Sequence, residues 1–441
     1  MMSPCTRRTL LQASSLSIGG ATLANLLQLR AESHSSPSDA TRLSRSTSVI
    51  FVTMGGGASQ FETFDPKPQA PVEYRGQFES IATGVPGVQF CELLPQLARI
   101  AGQVAVIRSV HHEQASHIAE HIVETGYDLV NGASTRNGDK PSMGSIVSRM
   151  RGVGPSGIPG YVSLPRHHAY SSPHWVGAQH HFFAVDGDPN QETFAVNNLA
   201  LTNLLTADRL RVRRSLQTAF SNTATFSNDT GGAGRTGEAA AIDRFSQQAF
   251  DLVTGERAQR AFNINHEDPR VRERYGRNAF GQRLLLARRL VEADVPFITV
   301  RTFDWDDHDK LAKRMQDRCP AFDHGLTALI EDLADRGLNR DVLVIAMGEF
   351  GRTPRVNGNG GRDHFPAVNS VLLAGGNFRM GQIIGASDRI GSQATQAPYR
   401  PQNVLAMVYR HLGIDPSLTF NDFSGRPRHI LEERAPINEL I

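Results

Sequence analysis

The segment from Asp341 to Gly376 constrains this chain most, because it joins two short buried strands through a loop rich in titratable residues. Val342–Met347 is a β-branched apolar run of strand length, and Ser370–Ala374 is a second apolar run. In an open α/β sheet, ligands bind beyond the carboxyl ends of the strands. The connecting loop therefore predicts a site whose candidate residues are Glu349, Arg352, Asp363 and His364. An ion pair between Glu349 and Arg352 that merely seals the loop is the alternative interpretation.

The composition is that of an ordinary globular protein. Of the 441 residues, 39% are hydrophobic and 20% are charged, which suits one large α/β domain or two smaller ones. The formal net charge of +2 is too small to indicate nucleic acid or an anionic membrane as a partner. We therefore expect no nucleic-acid partner.

The amino terminus has the pattern of an export signal. Arg7 and Arg8 form a twin-arginine pair, followed by a mildly apolar stretch that is too short and too polar for a membrane-spanning helix. The pattern predicts a twin-arginine signal peptide at 1–31, a Ser-rich linker at 32–48 and a folded domain at 49–435. An uncleaved amphipathic anchor is the alternative.

These features predict a bacterial protein that the twin-arginine export machinery delivers to the periplasm or the exterior, with no stable membrane span after processing. Only Cys91 and Cys319 remain in the predicted mature chain. Two cysteines are compatible with a single disulfide but do not establish one. They exclude a zinc site built from a cysteine cluster, so that His, Asp and Glu are the available metal ligands.

The first predicted strand, Val49–Met54, runs into three glycines at 55–57. Glycines at a strand end let the backbone approach a ligand closely, although the segment lacks the spacing of a phosphate-binding loop. Glu62 and Asp65 are the nearby carboxylates that are able to reach a cation.

A second strand, Val104–Ile107, opens into a histidine-rich segment. The spacing predicts a helix from Gln114 to Thr125 that carries His117 and His121 on one face. Such a pair can ligate a metal, and hydrogen bonding in a polar cleft is the alternative. Ser142 precedes a later predicted helix, where serine is a usual N-cap but where an anion can also be held.

A dense acidic loop follows a third strand, Pro296–Val300, and contains Asp304, Asp306, Asp307, His308 and Asp309. So many charges at a strand end are costly unless a cation or basic groups neutralise them, and a solvated acidic loop is the alternative. The Gly-, Pro-, Ser- and Asn-rich texture of 153–266 predicts an insertion or cap.

Together these motifs resemble the exported family known as domain of unknown function 1501, of the alkaline phosphatase and sulfatase superfamily. The resemblance extends from Val49 to Asp415 and is carried by GGGASQFETFDPKP, IRSVHH, ARRLVEADVPFITVRTFDWDDH, MGEFGRTP, GRDHFP and LLAGG. It implies an alkaline phosphatase-like α/β fold, with a largely parallel central sheet, helices on both faces and a loop-rich insertion. It also implies two metal sites and a hydroxyl nucleophile at the strand ends.

In this superfamily, one metal is held by an aspartate, a histidine four residues later and a histidine before a late strand. The matching residues are Asp304, His308 and His364, with Asp306 as a competing carboxylate. The other metal takes an aspartate after the first strand and an Asp-His pair after the penultimate one. The residues at those places are Gly55-Gly56 and Glu349-Phe350. Glu349 can replace an aspartate and Glu62 can supply a further carboxylate, but Phe350 cannot ligate a metal.

No serine stands in a diagnostic motif, so three serines near strand ends or helix starts are candidate nucleophiles: Ser109, Ser116 and Ser142. Arg352 is a candidate for binding an anionic substrate, because a guanidinium can hold two oxygens. The leading hypothesis is an exported hydrolase-like protein, dependent on zinc, calcium or magnesium, that acts on phosphate or sulfate esters such as sulfated polysaccharide. The competing hypothesis is a catalytically degenerate member that binds envelope glycans or protein partners.

Overall fold

The computed structural model describes residues 47–129, 140–166, 170–196 and 249–441, with positions 199, 209, 212, 215 and 216 between them. The predicted signal peptide, and all but the last two residues of the predicted linker, lie outside the described residues. None of the helices in this described part is long and apolar enough to span a bilayer.

The described strands form one large central sheet and four small two-stranded sheets. In chain order they are β1 (Ser48–Thr53), β2 (Ser80–Ala82), β3 (Gln89–Cys91), β4 (Val104–Val110), β5 (Tyr161–Leu164), β6 (Phe183–Ala184), β7 (Phe297–Arg301), β8 (Val342–Met347), β9 (Gly351–Arg352), β10 (His364–Phe365), β11 (Asn369–Gly375), β12 (Gln382–Ile384), β13 (Ala386–Ser387), β14 (Ala394–Gln396), β15 (Thr419–Asn421) and β16 (Pro427–His429).

The described α-helices, numbered in the same way, are α1 (Val72–Arg75), α2 (Pro95–Arg99), α3 (Glu120–Thr125), α4 (Met143–Arg151), α5 (Glu256–Phe262), α6 (Pro269–Arg274), α7 (Ala279–Glu292), α8 (Leu311–Asp335) and α9 (Pro401–His411). Short 3₁₀ turns occupy Ala101–Gln103, His117–Ala119, His174–Val176, Ala178–His180, Ile264–His266 and Asn438–Leu440.

The central sheet contains eight strands in the order β12-β4-β11-β8-β1-β7-β5-β6. Neighbouring strands are parallel except where β11 pairs with β4 and with β8. The predicted α/β fold with a largely parallel central sheet is thus confirmed.

The central strands are buried on both faces, which explains why their sequences are continuous apolar runs. All six residues of β1 and all six of β8 are buried. Alternate residues of β1 enter opposite cores, because successive side chains of a strand point to opposite faces. Ile50 shares a core with residues of α2, α7 and α8, whereas Val49 shares the other core with residues of α4 and α9. Helices therefore cover both faces of the sheet, as predicted.

The reversed strand β11 decides which loops meet. Because β11 runs antiparallel to β8, the end of β8 and the start of β11 lie at the same edge of the sheet. The carboxyl ends of β1, β4 and β7 lie at this edge too, since those strands run in the direction of β8. The polar segments after four strands and before a fifth therefore converge there.

The segment predicted as an insertion or cap, 153–266, contributes to the central sheet. β5 pairs with β7, and β6 pairs with β5 at the sheet edge. These strands are four and two residues long, too short to stand out from the surrounding Gly- and Pro-rich sequence. Most of 200–248 lies outside the described residues, and the role of the segment as a cap stays a prediction.

Cys91 and Cys319 are free thiols, so the structure does not contain the disulfide with which the sequence is compatible. Both are buried. Burial raises the pKa of the Cys91 thiol to about 12, which keeps it protonated and unreactive at neutral pH.

The buried carboxyl of Glu124 on α3 makes the stability of the fold depend on pH. Burial, together with the neighbouring Glu120 carboxyl, raises the pKa of Glu124 from 4.5 to about 8. Between these values the folded state holds a proton that the unfolded state has lost. The free energy of unfolding therefore falls as pH rises through this window, by up to about 1.4 kcal/mol per pH unit.

We expect Glu124→Gln to flatten this pH dependence in chemical denaturation across the same window. The exposed Glu432→Gln variant is the control and retains the wild-type slope. The same slope for Glu124→Gln and the wild type would show that another group causes the effect.

Candidate metal centre

The glycines at 55–57 form a turn at the end of β1, called here the glycine turn, which is hydrogen-bonded to the loop after β8. Gly56 has a φ of +98°, which glycine adopts without the strain that a side chain would cause. Its N–H donates to both carboxylate oxygens of Glu349, at 2.9 and 3.1 Å. The turn therefore places Glu349 at the carboxyl edge of the sheet.

Asp306 lies at the centre of a histidine cluster. Its Oδ1 is 2.9 Å from His364 Nε2 and 3.1 Å from His308 Nε2. Its Oδ2 is 3.3 Å from His117 Nε2. His308 Nε2 and His364 Nε2 also lie 3.1 Å apart. The structure thus brings together three predicted metal-binding residues, Asp306, His308 and His364, and adds His117.

The second ring nitrogen of each histidine is held by a hydrogen-bond acceptor. These contacts are His364 Nδ1 to the Ala115 carbonyl at 2.9 Å, His308 Nδ1 to Asp363 Oδ1 at 2.6 Å, and His117 Nδ1 to Glu349 Oε1 at 2.9 Å. When the Nδ1–H donates, the Nε2 lone pair of a neutral imidazole faces Asp306. Metal-ligating histidines have this arrangement of an anchored N–H and an inward lone pair. The donor set therefore fits a divalent cation.

Arg352 holds Asp306 in place. Its Nη2 donates to Asp306 Oδ1 at 2.7 Å, and its guanidinium also donates to the backbone carbonyls of Gly56, Gly57, Trp305 and Arg362. Burial alone would raise the pKa of the Asp306 carboxyl, but hydrogen bonds from Arg352 and His364 hold that pKa well below its usual range. The Arg352 guanidinium is buried and its donors are used within the protein. In contrast to the predicted substrate contact, it orients Asp306.

Glu349 orients His117. Its buried carboxylate accepts hydrogen bonds from the Gly56 N–H and from His117. The hydrogen bond to Glu349 raises the pKa of His117, because the carboxylate stabilises the charged imidazole. Glu349, a predicted metal ligand, therefore lies on the side of His117 that faces away from Asp306.

Two other predicted carboxylate ligands make different contacts. Glu62 is buried and pairs with Arg362, whose Nη2 lies 2.8 Å from Glu62 Oε1. Asp304 is exposed, and its Oδ1 accepts the Asp306 N–H at 3.3 Å. Neither carboxylate joins the histidine cluster, because Glu62 neutralises a buried guanidinium and Asp304 closes a turn.

The three candidate nucleophiles donate their hydroxyl protons to groups outside the cluster. Ser109 is buried, and its hydroxyl donates to the Ala397 carbonyl at 2.5 Å. Ser142 is the N-cap of α4 and accepts the N–H of Ser145 at 3.3 Å. Ser116 donates to the Gln114 side chain at 2.9 Å and directly precedes His117. Ser142 thus has a capping role, and Ser116 is the serine closest in sequence to the cluster.

Phe350 places an apolar ring beside the cluster. It is buried, and its ring centroid lies 4.3 Å from that of His364 and 5.6 Å from that of His117. His117, Asp306 and His364 each offer one donor atom, and these atoms lie within 4.8 Å of one another. The Phe350 ring, which has no donor atom for a cation, thus packs against two of these three side chains.

His117 joins the cluster without the partner that the sequence predicts for it. The predicted helix at 114–125 starts as a 3₁₀ turn at His117 and continues as α3. His121 is buried and packs edge-on against Tyr170, with ring centroids 5.9 Å apart. The order of the strands explains why His117 reaches the cluster. Because β4 and β11 are antiparallel neighbours, the residues after β4 meet those before β11.

The sequence that carries these loops matches a known family. A family model described as "Protein of unknown function (DUF1501)" matches residues 46–441, which include all eight central strands. The chain belongs to the DUF1501 family. The resemblance found in its motifs is thus confirmed. No curated protein matches the chain in sequence.

Solved structures similar to this DUF1501 protein are distant. The PsFucS1 sulfatase from Pseudoalteromonas sp. is 12% identical, with a TM-score of 0.36 over 85% of this chain and 69% of that chain. The lipoteichoic acid synthase LtaP from Listeria monocytogenes is 10% identical, with a TM-score of 0.35 over 84% of this chain and 72% of that chain. The alkaline phosphatase from the Antarctic bacterium TAB5 is 13% identical, with a TM-score of 0.34 over 83% of this chain and 98% of that chain. This similarity is too low to transfer residue roles or activities.

The glycine turn of the DUF1501 protein has no room for a side chain at residue 56. A methyl group there would lie 2.5 Å from the Asp306 nitrogen and 2.9 Å from Asp304 Oδ1. We expect Gly56→Ala to lower the free energy of unfolding by about 2 kcal/mol or more in chemical denaturation. Gly87→Ala is the matched control, because Gly87 has a φ of +78° and no neighbour within 4 Å of an added methyl group. Equal losses in the two variants would show that backbone strain alone is responsible.

The buried Glu62–Arg362 pair predicts a stability effect without a metal effect. Glu62→Gln leaves the buried Arg362 guanidinium without its counter-charge, which costs about 3–5 kcal/mol. We expect that loss in chemical denaturation, with unchanged metal content by elemental analysis and with the exposed Glu432→Gln variant as control. Wild-type stability together with reduced metal content would instead make Glu62 a metal ligand.

Proposed function

We propose that this protein is an exported, metal-dependent hydrolase that acts on phosphate or sulfate esters. The observation that carries the proposal is the convergence of three imidazole Nε2 atoms on the carboxylate of Asp306, each with its Nδ1 held by an acceptor. Imidazole nitrogens with anchored Nδ1 atoms, together with a carboxylate oxygen, are a donor set that suits a divalent cation.

Asp306, His308 and His364 would hold the metal ion. His308 and His364 face the same oxygen of Asp306, whereas His117 faces the other oxygen. Catalytic zinc sites use three protein ligands of this kind and keep a fourth position open. Imidazole nitrogen suits zinc, while calcium and magnesium prefer an all-oxygen shell. Among the predicted ions, zinc therefore fits this donor set best.

When bound, the ion would lower the pKa of a water molecule and stabilise charge on the oxygens of the reacting group. In its neutral form, His117 would be able to accept a proton from water at Nε2, while Glu349 holds the ring through Nδ1. Arg352 keeps Asp306 charged and oriented. A water nucleophile agrees with the hydroxyls of Ser109, Ser116 and Ser142, which donate to groups outside the cluster.

A binding protein without turnover is the second candidate. The observation that favours it is Phe350, whose ring packs against His117 and His364 where a second set of ligands would otherwise stand. In that case the centre organises a surface that binds envelope glycans or protein partners, and the metal has a structural role.

Substitutions in the cluster distinguish the residues that bind the metal from the residue that accepts a proton. We expect His364→Ala and Asp306→Asn to purify without the metal that elemental analysis detects in the wild type. His117→Ala keeps the metal but lowers kcat by about 100-fold or more on aryl phosphates or aryl sulfates. His266→Ala, at an exposed histidine away from the cluster, is the control. A wild-type protein that contains no metal, and whose activity survives His308→Ala, would refute the proposal. Metal without hydrolysis would favour the binding protein.

The export route is proposed from Arg7 and Arg8. Replacement of both by lysine is expected to retain the full chain inside the producing bacterium, because the export machinery reads the arginine pair. Cell fractionation with an antibody to the folded domain measures this.

A further inference from the structure

Arg301 differs from the other arginines at the carboxyl edge of the sheet, because its donors have no acceptor among the residues that the structure describes. It is the last residue of β7 and is half-buried. Within the part of the chain that the structure describes, its guanidinium donates no hydrogen bond and forms no ion pair. In contrast, Arg352 and Arg362 each donate to several carbonyls and to a carboxylate.

The Arg301 guanidinium lies next to the glycine turn. A methyl group on Gly55 would lie 3.8 Å from Arg301 Nη2 and 3.9 Å from its Nε. The next residue, Gly56, donates to Glu349 and lies so close to the acidic loop that a methyl group on it would be 2.5 Å from the Asp306 nitrogen. The Arg301 guanidinium therefore lies beside Gly55, and the backbone of Asp306 lies beside the next residue of the same turn.

Three carboxylates near the cluster already have partners of their own. Asp306 pairs with Arg352, Glu62 with Arg362, and Glu349 with His117 and the Gly56 N–H. The positive charge of Arg301 also acts on the nearby carboxyl of Glu120, whose pKa it lowers against the stronger effect of burial, which raises that pKa. Glycine at residue 55 brings no carboxylate to the guanidinium. Among the described residues, none of these three carboxylates takes up the donors of Arg301.

A guanidinium with free donors recognises oxyanions, because its planar fork matches two oxygens of one tetrahedral group. We propose that Arg301 binds the phosphoryl or sulfuryl oxygens of the substrate. This inference rests on the proposed function and names the residue that gives the centre its anion specificity. It also assigns to Arg301 the role that the sequence suggested for Arg352.

The test is titration of the purified full chain, as isolated, with inorganic phosphate and with inorganic sulfate by calorimetry. Arg301→Gln is expected to weaken binding of the preferred anion by about tenfold or more, because a charged hydrogen-bonding partner is lost. Arg301→Lys keeps the charge but not the fork and is expected to lie between Arg301→Gln and the wild type. Arg410→Gln, which removes an exposed guanidinium from the end of α9, leaves the affinity unchanged.

The metal content of each variant, measured in parallel, separates this inference from the proposed function. Wild-type metal content with weakened anion binding in Arg301→Gln supports both. A wild-type protein without metal that still loses anion binding in Arg301→Gln refutes the proposed function and leaves the anion site standing. Anion affinity equal to that of the wild type in both Arg301 variants, or no binding of either anion by the wild type, overturns the inference. If Arg301→Gln fails to fold, Arg301→Lys decides the matter alone.

Discussion

One buried guanidinium connects the loops that form the candidate centre. Arg352 donates to carbonyls of the glycine turn, of the acidic loop after β7 and of the segment before His364, and to the carboxylate of Asp306. A buried cation is tolerated only where acceptors satisfy its donors, so these segments must all be in place before Arg352 can be buried. Because each segment follows or precedes a different strand, the centre depends on the completed sheet, and its geometry depends on this one side chain.

Reasoning from strand ends predicted that polar side chains from several loops meet at one edge of the sheet, and the structure brings them together there. The family resemblance supplied His308, His364 and either Asp304 or Asp306. The strand ends explain why they meet, because the aspartates and His308 follow β7 and His364 precedes β11 at the same edge. The choice between Asp304 and Asp306 was not predictable. It depends on the turn that directs Asp306 towards Arg352 and leaves Asp304 in solvent.

The roles of Glu62, Arg352 and His117 depend on partners that are distant in sequence. Glu62 meets Arg362 across 300 residues, and His117 meets Glu349 across 232. The spacing of apolar residues indicates whether a segment forms a helix or a strand and which of its faces is buried. It does not indicate which charged side chains on different loops will pair. Those pairs form because whole loops pack against one another in the folded protein. No local sequence pattern indicates which loops will meet.

The antiparallel direction of β11 has a consequence for how this family can diversify. Because β8 ends and β11 begins at one edge, the connection between them, residues 348–368, never has to cross the sheet. Its ends are fixed by the ladder, while its middle includes the exposed Gly358 and precedes His364 of the candidate centre. Insertions there can reshape the rim of the centre at little cost in loop entropy and without moving a strand. The surface around the candidate centre can thus change through this one connection while the sheet stays the same.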